Sequence, residues 1–141
     1  MNCLLDTDVF TFALLDRHGI RQRILDEQRS GEVSIAIVTR IEVLQGRFAS
    51  IVKAADGTQL QAAIQRLHQT ERFLDAFPVL DFDSNALQLF DRFRRERKYR
   101  KIGRNDLLIA CLALARQASL VTRNVKDFQV IPGLQIANWV P

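Results

Sequence analysis

Cysteine and histidine are scarce in this sequence: Cys3, Cys111, His18 and His68 are all there is. Neither cysteine belongs to a CxxC pair and each lies among aliphatic residues. That argues against structural disulfides and thiolate zinc, and reads both thiols as small core residues in a reducing cytoplasm. The histidines have no ligand spacing to each other or to a cysteine, so the usual zinc site is not expected either. No apolar run approaches about 18 residues, and Met1 leads directly into strand-like residues without a basic segment followed by an apolar one. The expectation is a cytoplasmic chain with no membrane association. Repeats, low-complexity tracts and linkers are also lacking, so the 141 residues are expected to form a single domain, 1–141.

What is present is an ordinary globular composition with a basic lean: 48% hydrophobic, 26% charged and a net charge of +4, with a pI near 9.6. Such a charge permits a polyanionic partner without requiring one. Short apolar runs at Cys3 to Leu5, Val33 to Val38, Phe77 to Leu80, Ser119 to Thr122 and Gln135 to Ala137 read as strands. Longer segments of helical periodicity separate them. Leu60, Ile64, Leu67 and Leu74, with Ala63 and Phe73, form one apolar stripe, and Asp83-Ser84 offers an N-cap for a helix from Ala86 to about Arg97. The segment from Asp106 to Ala115 is apolar nearly all round, as for a helix buried between a sheet and another helix, and Ile131-Pro-Gly-Leu predicts a tight turn. Alternating strands and helices argue for an α/β fold, a three-layer α/β/α sandwich with a central parallel sheet of four to five strands.

In such a sheet, ligands bind beyond the carboxyl ends of the strands, near the point where strand order reverses. The first strand stops at Asp6, with Asp8 close behind. The second leads into a helix expected to carry Glu42 in its first turn, Asp106 opens the buried helix, and Asn124 follows the fourth strand. Carboxylates crowded into a low-dielectric cleft raise one another's pKa unless a cation joins them. Mg²⁺, which takes oxygen ligands and typically one or two carboxylates, is the simplest such cation. It points to metal-dependent phosphodiester hydrolysis.

Each acid also has an ordinary explanation. Thr39-Arg-Ile-Glu42 is a capping box, and on that motif alone the cap is favoured; Asp8 taken singly reads best as the N-cap of the first helix. Asp106 would suit a helix dipole. The shared location of these residues, more than any one of them, carries the functional reading.

Taken in order, these segments resemble PIN-domain ribonucleases, and in particular the VapC-like toxins of bacterial toxin–antitoxin pairs. Leu-Leu-Asp6-Thr-Asp8-Val looks like the opening LDTNV element, and Thr39-Arg-Ile-Glu42-Val-Leu-Gln-Gly46 like the T-x-x-E-L-x-x-G element. Ile102-Gly-Arg-Asn-Asp106-Leu-Leu-Ile-Ala resembles the third acidic element, and Leu120-Val-Thr-Arg-Asn124-Val-Lys-Asp127-Phe with Ile131-Pro-Gly-Leu the closing signature. The resemblance implies an Mg²⁺- or Mn²⁺-dependent endoribonuclease with Asp6, Glu42 and Asp106 as the acidic cluster. Asp6 and Asp106 would bind metal directly, and Glu42 through water. It also implies a homodimer and a small antitoxin that inserts residues into the acidic cleft. Asp8 stands where the family usually has Asn, and Asn124 where many members have a fourth acid; Asp127 would compensate only if its turn is helical, and a surface role is favoured for it.

The run Phe93-Arg-Arg-Glu-Arg-Lys-Tyr-Arg-Lys101 holds six cations, with Tyr99 among them, just before Asp106. Charge runs are usually solvated helix ends. Closeness to the acidic site makes Arg97, Lys98, Arg100, Lys101 and Arg104 candidates for RNA phosphates, together with Arg40 and Arg47, and Tyr99 a candidate for base stacking. Two other readings compete: a PIN-like module that binds RNA or protein without cutting, and a haloacid-dehalogenase-type phosphatase with Asp6-x-Asp8 as its first motif. The phosphatase would need a later acidic pair, DD or GDxxxD, which the sequence lacks.

Overall fold

The computed structural model describes every residue from Met1 to Pro141. Five short strands, β1 (Cys3–Leu5), β2 (Val33–Ala36), β3 (Val79–Leu80), β4 (Ser119–Val121) and β5 (Ile136–Ala137), pair in parallel in the order β3-β2-β1-β4-β5. Strand side chains alternate between the two faces of a sheet, and the apolar residues sort accordingly. Cys3, Leu5, Val33, Ile35 and Val121 join one buried cluster, while Leu4, Ala36 and Leu120 join another. The first is covered by α1 (Thr7–Leu14), α2 (Ile20–Glu27) and the end of α4 (Gly57–Leu74), through Phe10, Ile24 and Leu74. The second is covered by α5 (Ser84–Phe93), α6 (Arg104–Arg116) and the short α7 (Val125–Phe128), through Phe93, Leu112 and Phe128. Between β2 and β3 the chain runs out along α3 (Ile37–Val52) and back along α4, which packs on it. This is the expected three-layer α/β/α sandwich, with five strands.

Local chemistry accounts for the element ends. Asp56 and Asp83 accept the amide hydrogens of Gln59 and Ala86 and so cap α4 and α5. Gly133, at φ +80, takes the left-handed position of the Ile131 to Leu134 turn. Both cysteines are free and buried, and burial pushes the Cys111 thiol up to about 12, which keeps it protonated and inert.

Three expectations need correction. The strand expected from Val33 to Val38 ends at Ala36, and α3 begins at Ile37, so Thr39 lies inside the helix and is fully buried. No side chain caps α3. The Thr39-to-Glu42 capping box therefore does not form, and Glu42 falls in the second turn instead of the first. On α4 the buried residues are Ala63, Thr70 and Leu74, whereas Leu60 and Ile64 are 40% and 38% exposed. The helix turns its small residues toward α3, where Thr70 accepts a hydrogen bond from Arg47 Nε at 2.9 Å, and this rotates Leu60 and Ile64 outward. Finally, α5 spans Ser84 to Phe93 and the expected extension to Arg97 is broken; Arg97–Tyr99 is a separate 3₁₀ turn.

Candidate active site

Chain order runs outward from β1 to β3 on one side of the sheet and resumes with β4 and β5 on the other, so strand order reverses between β1 and β4. Leu5 is in register with Val121, and the Asp6 amide donates to the Val121 carbonyl at 3.0 Å. Asp6 thus sits on the switch point, the place where an open α/β sheet parts to admit a ligand. It is 4% exposed. Its Oδ1 accepts the Val9 amide hydrogen at 2.8 Å, making Asp6 itself the N-cap of α1. Asp8, expected as that cap, is instead an exposed residue of the first turn. Two acids separated by one residue offer two possible caps, and the strand end fixes which of them is used.

The other acids come to the same edge. Asp106 lies in the first turn of α6. Glu42 is reached from α1: Thr7 Oγ1 donates to Glu42 Oε1 at 2.8 Å and lies 3.0 Å from Thr39 Oγ1. Since the Thr7 proton goes to Glu42, Thr39 donates to Thr7, and a chain of hydroxyls ties α3 to the start of α1. Asp127 is in α7, where Asn124 Nδ2 donates to its Oδ2 at 2.7 Å. The turn is helical, yet Asp127 is exposed and pairs with Asn124, the surface role that was favoured for it, and it acts on Asp106 through its charge.

Electrostatics link these groups. Burial pushes the Asp6 carboxyl up to about 6, with Asp8 and Asp106 adding to the rise against hydrogen bonds from Thr122 and the Val9 amide. Asp106 is also raised, first by burial and then by the charges of Asp8, Glu42 and Asp127. Five carboxylates therefore share one field, and none of them takes part in a salt bridge. No three acidic, histidine or cysteine side chains close on a single point, so a cage built wholly from protein ligands is not formed. Mg²⁺ asks for less: one or two carboxylates, with water in the remaining positions. The all-oxygen donor set and the uncompensated charge of Asp6 and Asp106 fit that requirement.

The candidate cations divide. Arg40 pairs with Asp75 at 3.5 Å and Arg47 is held by Thr70, so both tie α3 to α4 and its end and neither is paired with a site acid. Lys98 pairs with Glu96 at 3.3 Å. Arg97, Arg100, Lys101 and Arg104 are exposed, and Arg104 lies over the Phe90 ring at 5.2 Å. Tyr99 is only 2% exposed and packs edge-on against Phe93, so it cannot stack on a base. The sequence reading missed Thr7, Thr39 as its hydroxyl partner, and Thr122, whose Oγ1 accepts the Asn124 amide hydrogen at 2.9 Å while its side chain supports Asp6. Only their places beside the acids, one residue after Asp6 and two before Asn124, could have flagged them.

The PIN-domain family matches residues 3–134 of this chain. The chain belongs to the PIN-domain family. Among curated PIN proteins it is 32% identical over 141 residues to Ribonuclease VapC1 of Haemophilus influenzae, covering 96% of each chain. It is 29% identical over 139 residues, again covering 96% of each, to the tRNA(fMet)-specific endonuclease VapC of Salmonella typhimurium. Among solved PIN structures, that of VapBC2 from Rickettsia felis bound to a DNA fragment from its promoter superposes with a TM-score of 0.82 at 26% identity, over 99% of each chain. Membership of this family removes the dehalogenase-type phosphatase reading, which the missing second acidic pair had already weakened.

Proposed function

We propose that this PIN-domain chain is an endoribonuclease and the toxin of a toxin–antitoxin pair, working with Mg²⁺ or Mn²⁺ at the edge occupied by Asp6, Glu42 and Asp106. The observation that carries the reading is the gathering of acids at the sheet switch point with no protein cation among them. The ribonuclease and endonuclease names of relatives matched over nearly their whole length support it.

In this reading Asp6 and Asp106 hold the cation, which when bound supplies charge for the reacting phosphate and lowers the pKa of water. The cap of α1 fixes the Asp6 carboxylate, because Oδ1 is tied to the Val9 amide. Thr7 engages Oε1 of Glu42, leaving Oε2 to take the proton of an attacking water. Asp127 supplies, next to Asn124, the charge that the carboxamide lacks. RNA is the substrate class, and tRNA is the first RNA to test in view of the Salmonella relative. A small antitoxin is the regulatory partner, by likeness to the VapBC complex, and the homodimer is the assembly that the family resemblance implies.

The test is incubation of the purified chain with total cellular RNA and with tRNA, in Mg²⁺, Mn²⁺ or EDTA, beside Asp6→Asn. Discrete fragments that require the metal and vanish in the variant are expected. A folded wild-type chain that binds RNA and cuts none with either metal would make this a binding module.

A further inference from the structure

The basic run before α6 folds into a pocket. A cleft of about 330 Å³ opens between α5, the Arg97–Tyr99 turn and the start of α6, lined among others by Phe90, Tyr99, Arg94, Arg100, Arg104 and Leu107. Its volume suits a small ligand. Of its charged residues, Arg94 is paired with Asp91 and Glu96 with Lys98, each at 3.3 Å. Arg100 and Arg104 stand outside every ion pair.

The two unpaired cations narrow the choice of ligand. A metal is repelled, and an apolar ligand leaves two guanidinium groups unmatched. A phosphate matches them, because guanidinium presents a planar fork of donors to its oxygens. The rest of the lining is aromatic or aliphatic, which suits a flat group attached to that phosphate. The Arg104 guanidinium is already fixed on the Phe90 ring at 5.2 Å, so its outer face is a ready platform for a base; guanidinium planes stack bases in single-stranded RNA. Arg104 and Asp106 both lie in the first turn of α6, about 3 Å apart along its axis and on different faces of the helix, so the pocket adjoins the end of α6 that carries the acid without opening into the acids themselves.

We infer that this pocket binds one nucleotide of a single-stranded RNA, flanking the phosphodiester to be cut, with its phosphate on Arg100 and Arg104 and its base on the outer face of Arg104. The assignment rests on the ribonuclease reading and adds to it a subsite outside the acidic cleft.

The experiment measures anisotropy of a short fluorescein-labelled single-stranded RNA in EDTA, where binding is read without cleavage, over a salt series. It also measures kcat and KM for cleavage of the same RNA with Mg²⁺. Arg100→Ala/Arg104→Ala is compared with wild type and with Lys53→Ala/Arg66→Ala, which removes the same charge from just past the end of α3 and from α4. The pocket variant is expected to bind about tenfold more weakly or worse, with a salt slope lower by about one and a raised KM at unchanged kcat, while the control stays within twofold. Arg104→Lys is expected to recover only part of the loss, because it keeps the charge and loses the plane. Should the double variant fold poorly, the exposed and unpaired Arg100→Ala carries the same test alone. Binding and KM within twofold of wild type, or an equal loss in the control, overturns the pocket while leaving the ribonuclease intact. A wild-type chain that neither binds nor cuts the RNA overturns both.

Discussion

The two ends of the same parallel sheet are handled differently. At the amino ends of the strands, polar groups find partners within the chain. Ser34 Oγ donates to Glu32 at 3.0 Å, the Glu32 amide donates to Asn2 at 2.9 Å, and Arg116 meets Asp83 at 3.8 Å. At the carboxyl ends, Asp6, Asp8, Glu42, Asp106 and Asp127 share a field without a cation. One end is built for stability and the other keeps a charge imbalance that folding alone would remove. Such an imbalance, held in place by caps and hydroxyls, marks where a cation and an anionic substrate are to meet.

The sharpest way to break this contrast is to remove an acid. Asp106→Ala is expected to lower cleavage of RNA by about a thousandfold or more while the far-ultraviolet circular dichroism stays that of wild type; activity near wild type would move the site elsewhere. Next in size is the dependence of stability on pH. Because Asp6 titrates near 6 when folded and near 3.9 when unfolded, the folded state takes up its proton first. Stability without divalent ions is therefore expected to rise as pH falls from above 6 toward 4, by up to about 3 kcal/mol. Asp6→Asn, which keeps the cap and drops the charge, flattens that rise in urea titrations.

Thr7 sharpens the contrast further, since it positions Glu42 without carrying charge. Thr7→Val is expected to slow cleavage by about 10- to 100-fold, in line with other positioning groups around metal ligands. Thr7→Ser, which keeps the hydroxyl, should restore the rate. The smallest effect belongs to the opposite end. Arg116→Ala breaks an exposed ion pair and is expected to change stability by at most about 1 kcal/mol, with cleavage unchanged; a large loss of activity there would erase the distinction between the two ends.

Much of this arrangement is written locally. Asp6 closes an apolar strand and Asp106 opens an apolar helix, and both signals survive without knowing the fold. Glu42 was placed at the right edge for an incomplete reason. Ile37 and Val38 are β-branched and extend the apparent strand, but the chain turns helical at Ile37, which buries Thr39 and converts an expected cap into a hydroxyl link. The Thr7–Glu42 bond spans 35 residues and no local pattern encodes it. Leu60 and Ile64 fit a buried stripe by periodicity, but the partner helix prefers Ala63 and Thr70. Tyr99 reads as solvated beside six cations, yet its ring is what closes the wall beneath them. In each case the missing information is which face a neighbour covers.

The most direct test of the central claim is thermal unfolding of wild type and Asp6→Asn at neutral pH, with and without saturating Mg²⁺. The account predicts that without Mg²⁺ the variant melts several degrees above wild type, and that Mg²⁺ raises wild type and leaves the variant where it was. Equal melting temperatures without Mg²⁺, together with no response of wild type to the ion, would contradict it.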